Sequence, residues 1–244
     1  MKWLRRILIG LGVLVGLLVV LLIGLYIYVE ATWNRPNTRA VAQMTAPKDA
    51  QTVARGEYLY NATLLCWSCH GTQGSHSPAE PQAGGKEWDL SNVGPGFGVL
   101  YSPNLTPDPE TGIGSWSDGE LARAIREGLD RDGQLIFPML PYEWTNGLSD
   151  ADALAMVAYL RSQPPVRNPV PANRPSFLAK AFPALGVMQP KPAVTSVQTA
   201  PPRGATAEYG KYLASNASGC AECHTPRDFS TGAYDFTRPL GGAL

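Results

Sequence analysis

The hydrophobic pattern of this chain begins with one long apolar run. Residues 7–29 contain no charged residue and no proline, and Leu, Val, Ile and Gly dominate them. A helix of this length, rising about 1.5 Å per residue, can cross the hydrocarbon core of a bilayer. Basic residues at Lys2, Arg5 and Arg6 place the N-terminus in the cytoplasm and the rest of the chain on the outer side of the membrane. We therefore predict a cytoplasmic tail and transmembrane anchor over residues 1–30.

A cleaved signal peptide is the alternative to a retained anchor. The run exceeds the roughly 7–15 apolar residues of a signal-peptide core, and no small-residue cleavage site comes after it. Aromatic residues flank the run, as they do at membrane interfaces. These features favour a single-pass membrane protein, with the lipid bilayer as one partner and the remaining domains exported to the outer face.

Capping signals and helical periodicity predict two helices further along the chain. Ser117 followed by Glu120 forms a capping box, and Gly128 is placed to end that helix. Ser149 opens a second helix, whose apolar residues recur at helical spacing and stop before Pro164.

Polar and proline-rich stretches divide the chain into units. Residues 31–52 lack periodicity and are predicted to be a tether between the anchor and a first domain over residues 53–163. Residues 164–206 are rich in proline and predict a semi-rigid, extended linker, interrupted by a short amphipathic turn at 177–185. Residues 207–244 begin a second, partial domain.

The cysteines carry the chemistry. Basic and acidic residues number 20 each, so nothing indicates a nucleic-acid partner. Two thiols three positions apart can add to the vinyl groups of one porphyrin, and a histidine directly after them can bind the iron. All four cysteines fall in such motifs, which are Cys66, Cys69 and His70, and then Cys220, Cys223 and His224. The pattern predicts two covalently bound haem c groups.

Disulfides and a structural zinc site are the alternatives at these cysteines. A zinc site would need a second Cys pair about 15–20 residues away, whereas the two pairs lie 154 residues apart.

A shift of 154 residues also aligns Gly56 with Gly210 and Tyr58 with Tyr212, which predicts a tandem repeat. In each copy, the glycine is expected to admit a neighbouring helix and the tyrosine to pack inward.

Met139 is the candidate sixth ligand of the first haem iron. It lies in an irregular loop between Pro138 and Pro141, and a soft thioether suits haem iron. Met156 lies among apolar residues of a predicted helix and is expected in the core. His76 is expected to be a solvated loop residue rather than a competing ligand.

These motifs resemble class I cytochrome c domains. More narrowly, they are similar to the tandem domains in membrane-associated cytochrome subunits of periplasmic alcohol, aldehyde and gluconate dehydrogenases. The resemblance covers residues 56–163 and the partial repeat. Its matching elements are the haem motif, the stretch Tyr101 to Trp116, the Met139 loop and the helix ending Ala158-Tyr159-Leu160-Arg161.

The resemblance implies an all-α fold around each haem, with first and last helices crossing near Gly56 and Tyr159. It also implies that residues after Ser102 pack against the haem. Three side chains there are candidates for contact with the haem or its propionates, namely Asn104, Thr106 and Trp116. Asn104 and Thr106 are equally suited to forming turns. This chain departs from those subunits, which carry three haem units and a C-terminal membrane segment, because its anchor is N-terminal.

The second unit is expected to be incomplete. A counterpart of Met139 would lie beyond Leu244, and no methionine follows Cys223. Three explanations stay open at this point. The chain is a piece of a longer protein, a partner subunit completes the site, or the second haem is five-coordinate.

The predicted function is electron transfer at the outer, periplasmic face of a bacterial cytoplasmic membrane, without a catalytic site of its own. His70 and Met139 would fill both axial positions of the first iron and leave no position for a substrate. The expected partners are redox proteins, namely a dehydrogenase or quinol-oxidising complex and an oxidase or other terminal acceptor. A di-haem peroxidase and a haem-based sensor or assembly subunit are the alternatives.

Overall fold

A computed structural model describes residues 2–72, 77–92, 96–136, 142–226, 235, 237–238 and 241–242. A π-helical segment, Leu59–Thr63, continues the second helix. The described helices are α1 (Lys2–Thr32), α2 (Ala50–Tyr58), α3 (Trp67–His70), α4 (Asp118–Glu127), α5 (Tyr142–Thr145), α6 (Asp150–Ser162), α7 (Phe177–Ala184), α8 (Ala207–Asn216) and α9 (Cys220–His224). The described strands are β1 (Glu87–Asp89), β2 (Gly98–Tyr101) and β3 (Arg174–Pro175).

Both helices predicted from capping signals are confirmed. α4 opens with the reciprocal hydrogen bonds of a capping box between Ser117 and Glu120, and ends at Gly128, whose φ is 73°. α6 opens at Ser149, whose side chain accepts a hydrogen bond from the backbone of Asp152. Local sequence fixes these ends because each cap satisfies backbone groups that the helix leaves unpaired.

Three short strands correct the all-α prediction, since the fold is mostly helical but contains a small sheet. β2 pairs antiparallel with β1 on one side, where Trp88 faces Leu100, and with β3 on the other, where Val99 faces Arg174. The strands have two to four residues, too few for an alternation of apolar and polar positions to show in the sequence. β3 belongs to the predicted linker, so the sheet is also assembled from distant segments.

The core of the first domain centres on the crossing of α2 and α6. A Cβ at Gly56 would lie 1.9 Å from the carbonyl oxygen of Ala155 and 2.8 Å from Cβ of Tyr159. The predicted crossing near Gly56 and Tyr159 is therefore confirmed, and Met156 is buried beside it as predicted. The repeated glycine differs, because a Cβ at Gly210 would meet no other described atom within 4 Å beyond its own helix backbone.

We expect Gly56→Ala to destabilise the chain by about 1–3 kcal/mol or more, because the added methyl must push α2 away from α6. Guanidinium unfolding of the full chain in detergent, followed by far-ultraviolet circular dichroism, measures the loss. Gly210→Ala is the matched control and should be neutral or stabilising by about 0.5–1 kcal/mol, because alanine favours the helix. If both variants lose the same free energy of unfolding, the prediction that only Gly56 lies at a close helix crossing is contradicted.

The helix α1 is exposed along most of its length. The helix is long and apolar enough to span a membrane or to be a signal sequence. Its C-terminal end packs against α7. Val29 is fully buried, the ring of Tyr26 stacks on Phe177 with centroids 5.3 Å apart, and Glu30 pairs with Lys180 at 2.8 Å.

Both predicted connecting segments lie along the first domain. After α1, the Arg39 guanidinium pairs with Glu127 at 2.9 Å, and the backbone N–H of Ala46 donates to the Asp118 carboxylate at 2.8 Å. After α6, the side chain of Asn168 donates to the backbone of the first domain. The short helical turn predicted in the linker is confirmed as α7.

Candidate functional site

The first Cys-x-x-Cys-His motif lies on one helical turn. The π-helical segment leads into it, and Leu65, with φ of 53°, turns the chain into α3. The backbone N–H groups of Cys69 and His70 donate to the carbonyl oxygen of Cys66 at 3.2 and 3.0 Å and close the turn. Both thiols are free, and burial raises the pKa of the Cys66 thiol to about 12.

The His70 ring is oriented by the Pro103 carbonyl. His70 Nδ1 lies 3.1 Å from that oxygen. A carbonyl oxygen can only accept a hydrogen bond, so Nδ1 carries the proton and Nε2 keeps a lone pair for a metal ion. Burial lowers the pKa of His70, although the Pro103 hydrogen bond opposes this effect. The lowered pKa favours the neutral ring that metal binding requires.

A glycine segment passes between this histidine and the Pro103 loop. Gly84 N donates to the His70 carbonyl at 3.0 Å, and Gly85 N donates to the Ser102 carbonyl at 2.9 Å. Gly84 has φ of 68°, and a Cβ there would lie 2.4 Å from the carbonyl oxygens of both Ser102 and Pro103. Glycine is therefore needed for the loop to hold the Pro103 carbonyl at the histidine.

Asn104 and Thr106 shape the same loop from inside. Asn104 Oδ1 accepts from the Thr106 backbone N–H at 2.9 Å and from its hydroxyl at 2.8 Å. Asn104 Nδ2 donates to the Val166 carbonyl at 2.8 Å and to the Thr111 hydroxyl at 3.1 Å. Of the two roles predicted for this pair, the structure shows the turn-forming one. Trp116 packs against the core.

Two sequence predictions fall on residues that the structure does not describe. Met139, the candidate sixth ligand, and His76, the candidate solvated histidine, lie outside the described residues. Both assignments stay predictions.

The second Cys-x-x-Cys-His motif lies on α9. Gly242 N donates to the His224 carbonyl at 2.7 Å, and Gly242 has φ of 86°. The same backbone contact joins Gly84 to His70, so in both motifs a glycine with positive φ donates to the histidine carbonyl. The side chains of Cys220, Cys223 and His224 are exposed.

The two motifs are neighbours in space. Gly219 N, directly before the second motif, donates to the Thr63 carbonyl at 3.0 Å. Thr63 lies only three residues before Cys66. The hydrogen bond therefore brings the beginnings of the two motifs together.

A buried ion pair fastens α8 to the first domain. Arg55 donates twice to the Asp152 carboxylate, at 2.8 and 2.7 Å, and the Tyr212 hydroxyl donates to the same carboxylate at 2.8 Å. Burial raises the pKa of Tyr212 to about 12. Tyr212 thus packs inward as the repeat predicts, whereas its counterpart Tyr58 is 45% exposed, so the prediction is wrong there.

The cytochrome c family model matches residues 53–164, a range that holds the first motif, the Pro103 loop and the crossing of α2 and α6. This part of the chain is a cytochrome c domain. A cytochrome c domain implies haem c, and its residues fit that group. Two free thiols on one turn suit covalent attachment, and a neutral imidazole with Nε2 available suits axial ligation.

Relatives of the chain match about three quarters of its length. The chain is 40% identical over 180 residues to a nicotinate dehydrogenase subunit of Pseudomonas putida, covering 73% of this chain and 14% of that protein. It is 33% identical over 197 residues to the cytochrome c subunit of alcohol dehydrogenase (quinone) of Gluconobacter oxydans, covering 74% and 36%. A diheme cytochrome c-type protein of Cereibacter sphaeroides is 30% identical over 192 residues, covering 78% and 62%. The chain therefore spans only part of the length of these relatives.

Sequence reasoning missed one group that positions the cytochrome c site and one ion pair that joins the helices around it. The Pro103 carbonyl is a backbone atom, so its role leaves no residue-type signal, although Pro103 lies in the stretch that carries the family resemblance. The ion pair between Arg55 and Asp152 joins residues 97 apart in sequence. Asp152 belongs to the capping signal that opens α6, but that signal says nothing about a partner on α2.

Proposed function

We propose that the chain is a membrane-anchored periplasmic electron carrier, which passes electrons from a dehydrogenase or quinol-oxidising complex toward a terminal acceptor. The observation that carries this proposal is the His70 geometry, in which the Pro103 carbonyl leaves Nε2 for the iron beside two free thiols. Haem c, when bound, exchanges one electron at a time between its ferric and ferrous states. Relatives named as cytochrome c subunits of dehydrogenases support the same role.

The residues of the first unit have separate tasks in this proposal. Cys66 and Cys69 would attach the haem, and His70 would bind its iron. Met139 is the second predicted iron ligand, and a His/Met pair would leave no position for a substrate and would favour a high reduction potential. The Pro103 carbonyl orients the histidine, and Gly84 leaves room for that carbonyl.

We assign a second haem c to Cys220 and Cys223, with His224 as its iron ligand. The matching contacts of Gly242 with His224 and of Gly84 with His70 support this assignment. Residues 207–244 then form part of a second cytochrome c domain. The hydrogen bond between Gly219 and Thr63 brings the beginnings of the two attachment motifs together, which would favour electron exchange between two bound haems.

The packing of α1 supports a retained anchor. Its C-terminal end contacts the linker through the Tyr26–Phe177 stack and the Glu30–Lys180 ion pair. A signal peptide is removed after export and has no lasting role in the fold of the mature protein. Contacts between α1 and a segment about 150 residues later are therefore better suited to an anchor that stays in place.

A redox titration of the purified full chain tests the proposal. Two one-electron steps are expected, and the double variant Cys220→Ala/Cys223→Ala should lose one of them while the other persists. Mass spectrometry of the mature protein in the membrane fraction should recover residues of α1. Rapid peroxide turnover by the purified chain would contradict the electron-carrier role and favour a peroxidase, and a mature chain beginning after α1 would contradict the anchor.

A further inference from the structure

A cluster of apolar side chains lies exposed on α7 and the residues directly after it. The structure describes seven large hydrophobic residues exposed outside α1, and four of them lie within residues 177–187. Those four are Phe177, Leu178, Leu185 and Val187, with exposed fractions from 37% to 57%. We call them the α7 patch. Scattered exposed apolar residues are ordinary, whereas such a cluster marks a contact surface.

The α7 patch lies level with the C-terminal end of α1. The Tyr26 ring stacks on Phe177 at 5.3 Å with an angle of 20° between the ring planes, and the Tyr28 hydroxyl donates to the Ala184 carbonyl at 3.3 Å. Both tyrosines belong to the uncharged run that ends at Val29. Tyr26 is about 4.5 Å along the axis inside that end. The patch therefore continues the apolar surface of α1 at its outer end.

The charge of this region is compatible with a lipid environment. Lys180 is the only charged residue from Phe177 to Met188. Its ammonium group lies 2.8 Å from the Glu30 carboxylate and 5.6 Å from the centre of the Trp33 ring. The cation is therefore neutralised within the protein, beside an aromatic residue of the kind found at membrane interfaces. The α7 patch itself carries no charge.

The α7 helix is also firmly joined to the first domain. Ser176, which caps α7, donates through its backbone N–H to the Phe97 carbonyl at 3.1 Å, and Phe182 packs against the Phe97 ring. β3 pairs with β2 immediately before this cap. The depth of α7 in a membrane would consequently set the height and tilt of the domain that holds His70.

We propose that the α7 patch inserts into the outer leaflet of the bilayer as a second membrane contact beside α1. The observations favour lipid as the occupant because the patch is continuous with the apolar surface of α1 and has no unpaired charge. The proposal rests on α1 being a retained anchor. Interfacial helices typically lie about 5–10 Å into the boundary between headgroups and acyl chains. Phe177, beside Tyr26 and about 4.5 Å inside the end of the apolar run, lies close to the shallow limit of that range.

Photocrosslinking of the full chain tests this contact. p-Benzoylphenylalanine replaces one residue at a time, and the protein is reconstituted into vesicles of phosphatidylethanolamine and phosphatidylglycerol whose acyl chains carry an alkyne. Val187 is the test position, and Leu185 serves as a second test position within the patch. Val197 is the matched control, since it is also an exposed valine of the linker but lies outside the patch. Leu18, in the middle of α1, reports on the anchor.

Lipid crosslinking at positions 187 and 185 should exceed that at position 197 several-fold and approach that at position 18. Crosslinking at position 18 with only control-level yield at positions 187 and 185 would overturn the second contact and leave the anchor standing. The absence of lipid crosslinking at position 18 would instead overturn both the anchor and the second membrane contact. The haem absorbance spectrum of each variant shows that the haem site has formed.

Discussion

Replacing His70 by alanine should abolish the low-spin signal of the first haem. The Pro103 carbonyl fixes the proton on His70 Nδ1, so Nε2 is the atom available to the iron. Loss of this ligand should leave the iron with at most one strong axial ligand and convert it to a high-spin state. Visible absorption of the reduced chain and electron paramagnetic resonance of the oxidised chain measure the change, while intact mass reports whether the haem remains attached.

Two further variants separate the axial ligands. His76→Ala should leave the spectrum unchanged, because His76 is expected to be a solvated loop residue. Met139→Ala should remove the sulfur-to-iron charge-transfer band of the oxidised first haem. A low-spin first haem that persists in His70→Ala would show that another side chain binds the iron, and a surviving sulfur band in Met139→Ala would rule that methionine out.

The parts of the fold that could be predicted from sequence are those determined within a few residues. Ser117, Glu120 and Gly128 define α4 because a capping box and a left-handed glycine act on their own helix. The Cys-x-x-Cys-His motif is equally local, since attachment and ligation need three side chains on one turn. The apolar run of α1 follows from composition alone.

The parts that could not be predicted depend on partners distant in sequence. β3 forms because the linker returns to β2, and two residues carry no periodic signal. The segment predicted as a tether packs along the first domain through isolated hydrogen bonds, such as that between Ala46 and Asp118. No sequence pattern indicates such contacts. The repeat is also only partly informative, because Gly56 and Gly210 stand in the same Gly-x-Tyr-Leu pattern but have different surroundings. Tertiary packing, rather than propensity, decides each of these features.

The ion pair between Arg55 and Asp152 is placed where its loss would be costly. Both side chains are more than nine-tenths buried, and Tyr212 adds a third hydrogen bond to the carboxylate. Burial on its own would raise the pKa of Asp152, but the hydrogen bonds from Arg55 and Tyr212 outweigh it and lower the pKa below its usual value of 3.8. The charged carboxylate therefore stabilises the folded chain above that pH, and this contribution is lost as the pH falls through the lower folded-state pKa.

We expect Asp152→Asn to destabilise the chain by about 3–5 kcal/mol at neutral pH, because it leaves the buried Arg55 guanidinium without its counter-charge. Glu110→Gln is the matched control. Glu110 pairs with Arg167 at a similar distance of 2.9 Å, but both of these side chains are largely exposed. Breaking this pair should lower the free energy of unfolding by only about 0–1 kcal/mol. Guanidinium unfolding of both variants measures the difference. The difference in free energy of unfolding between Asp152→Asn and the unaltered chain should become smaller as the pH falls below 3.8, because protonation of Asp152 removes the charge that the variant lacks. A loss no larger than that of Glu110→Gln would contradict the role of this ion pair in fastening α8 to the cytochrome c domain.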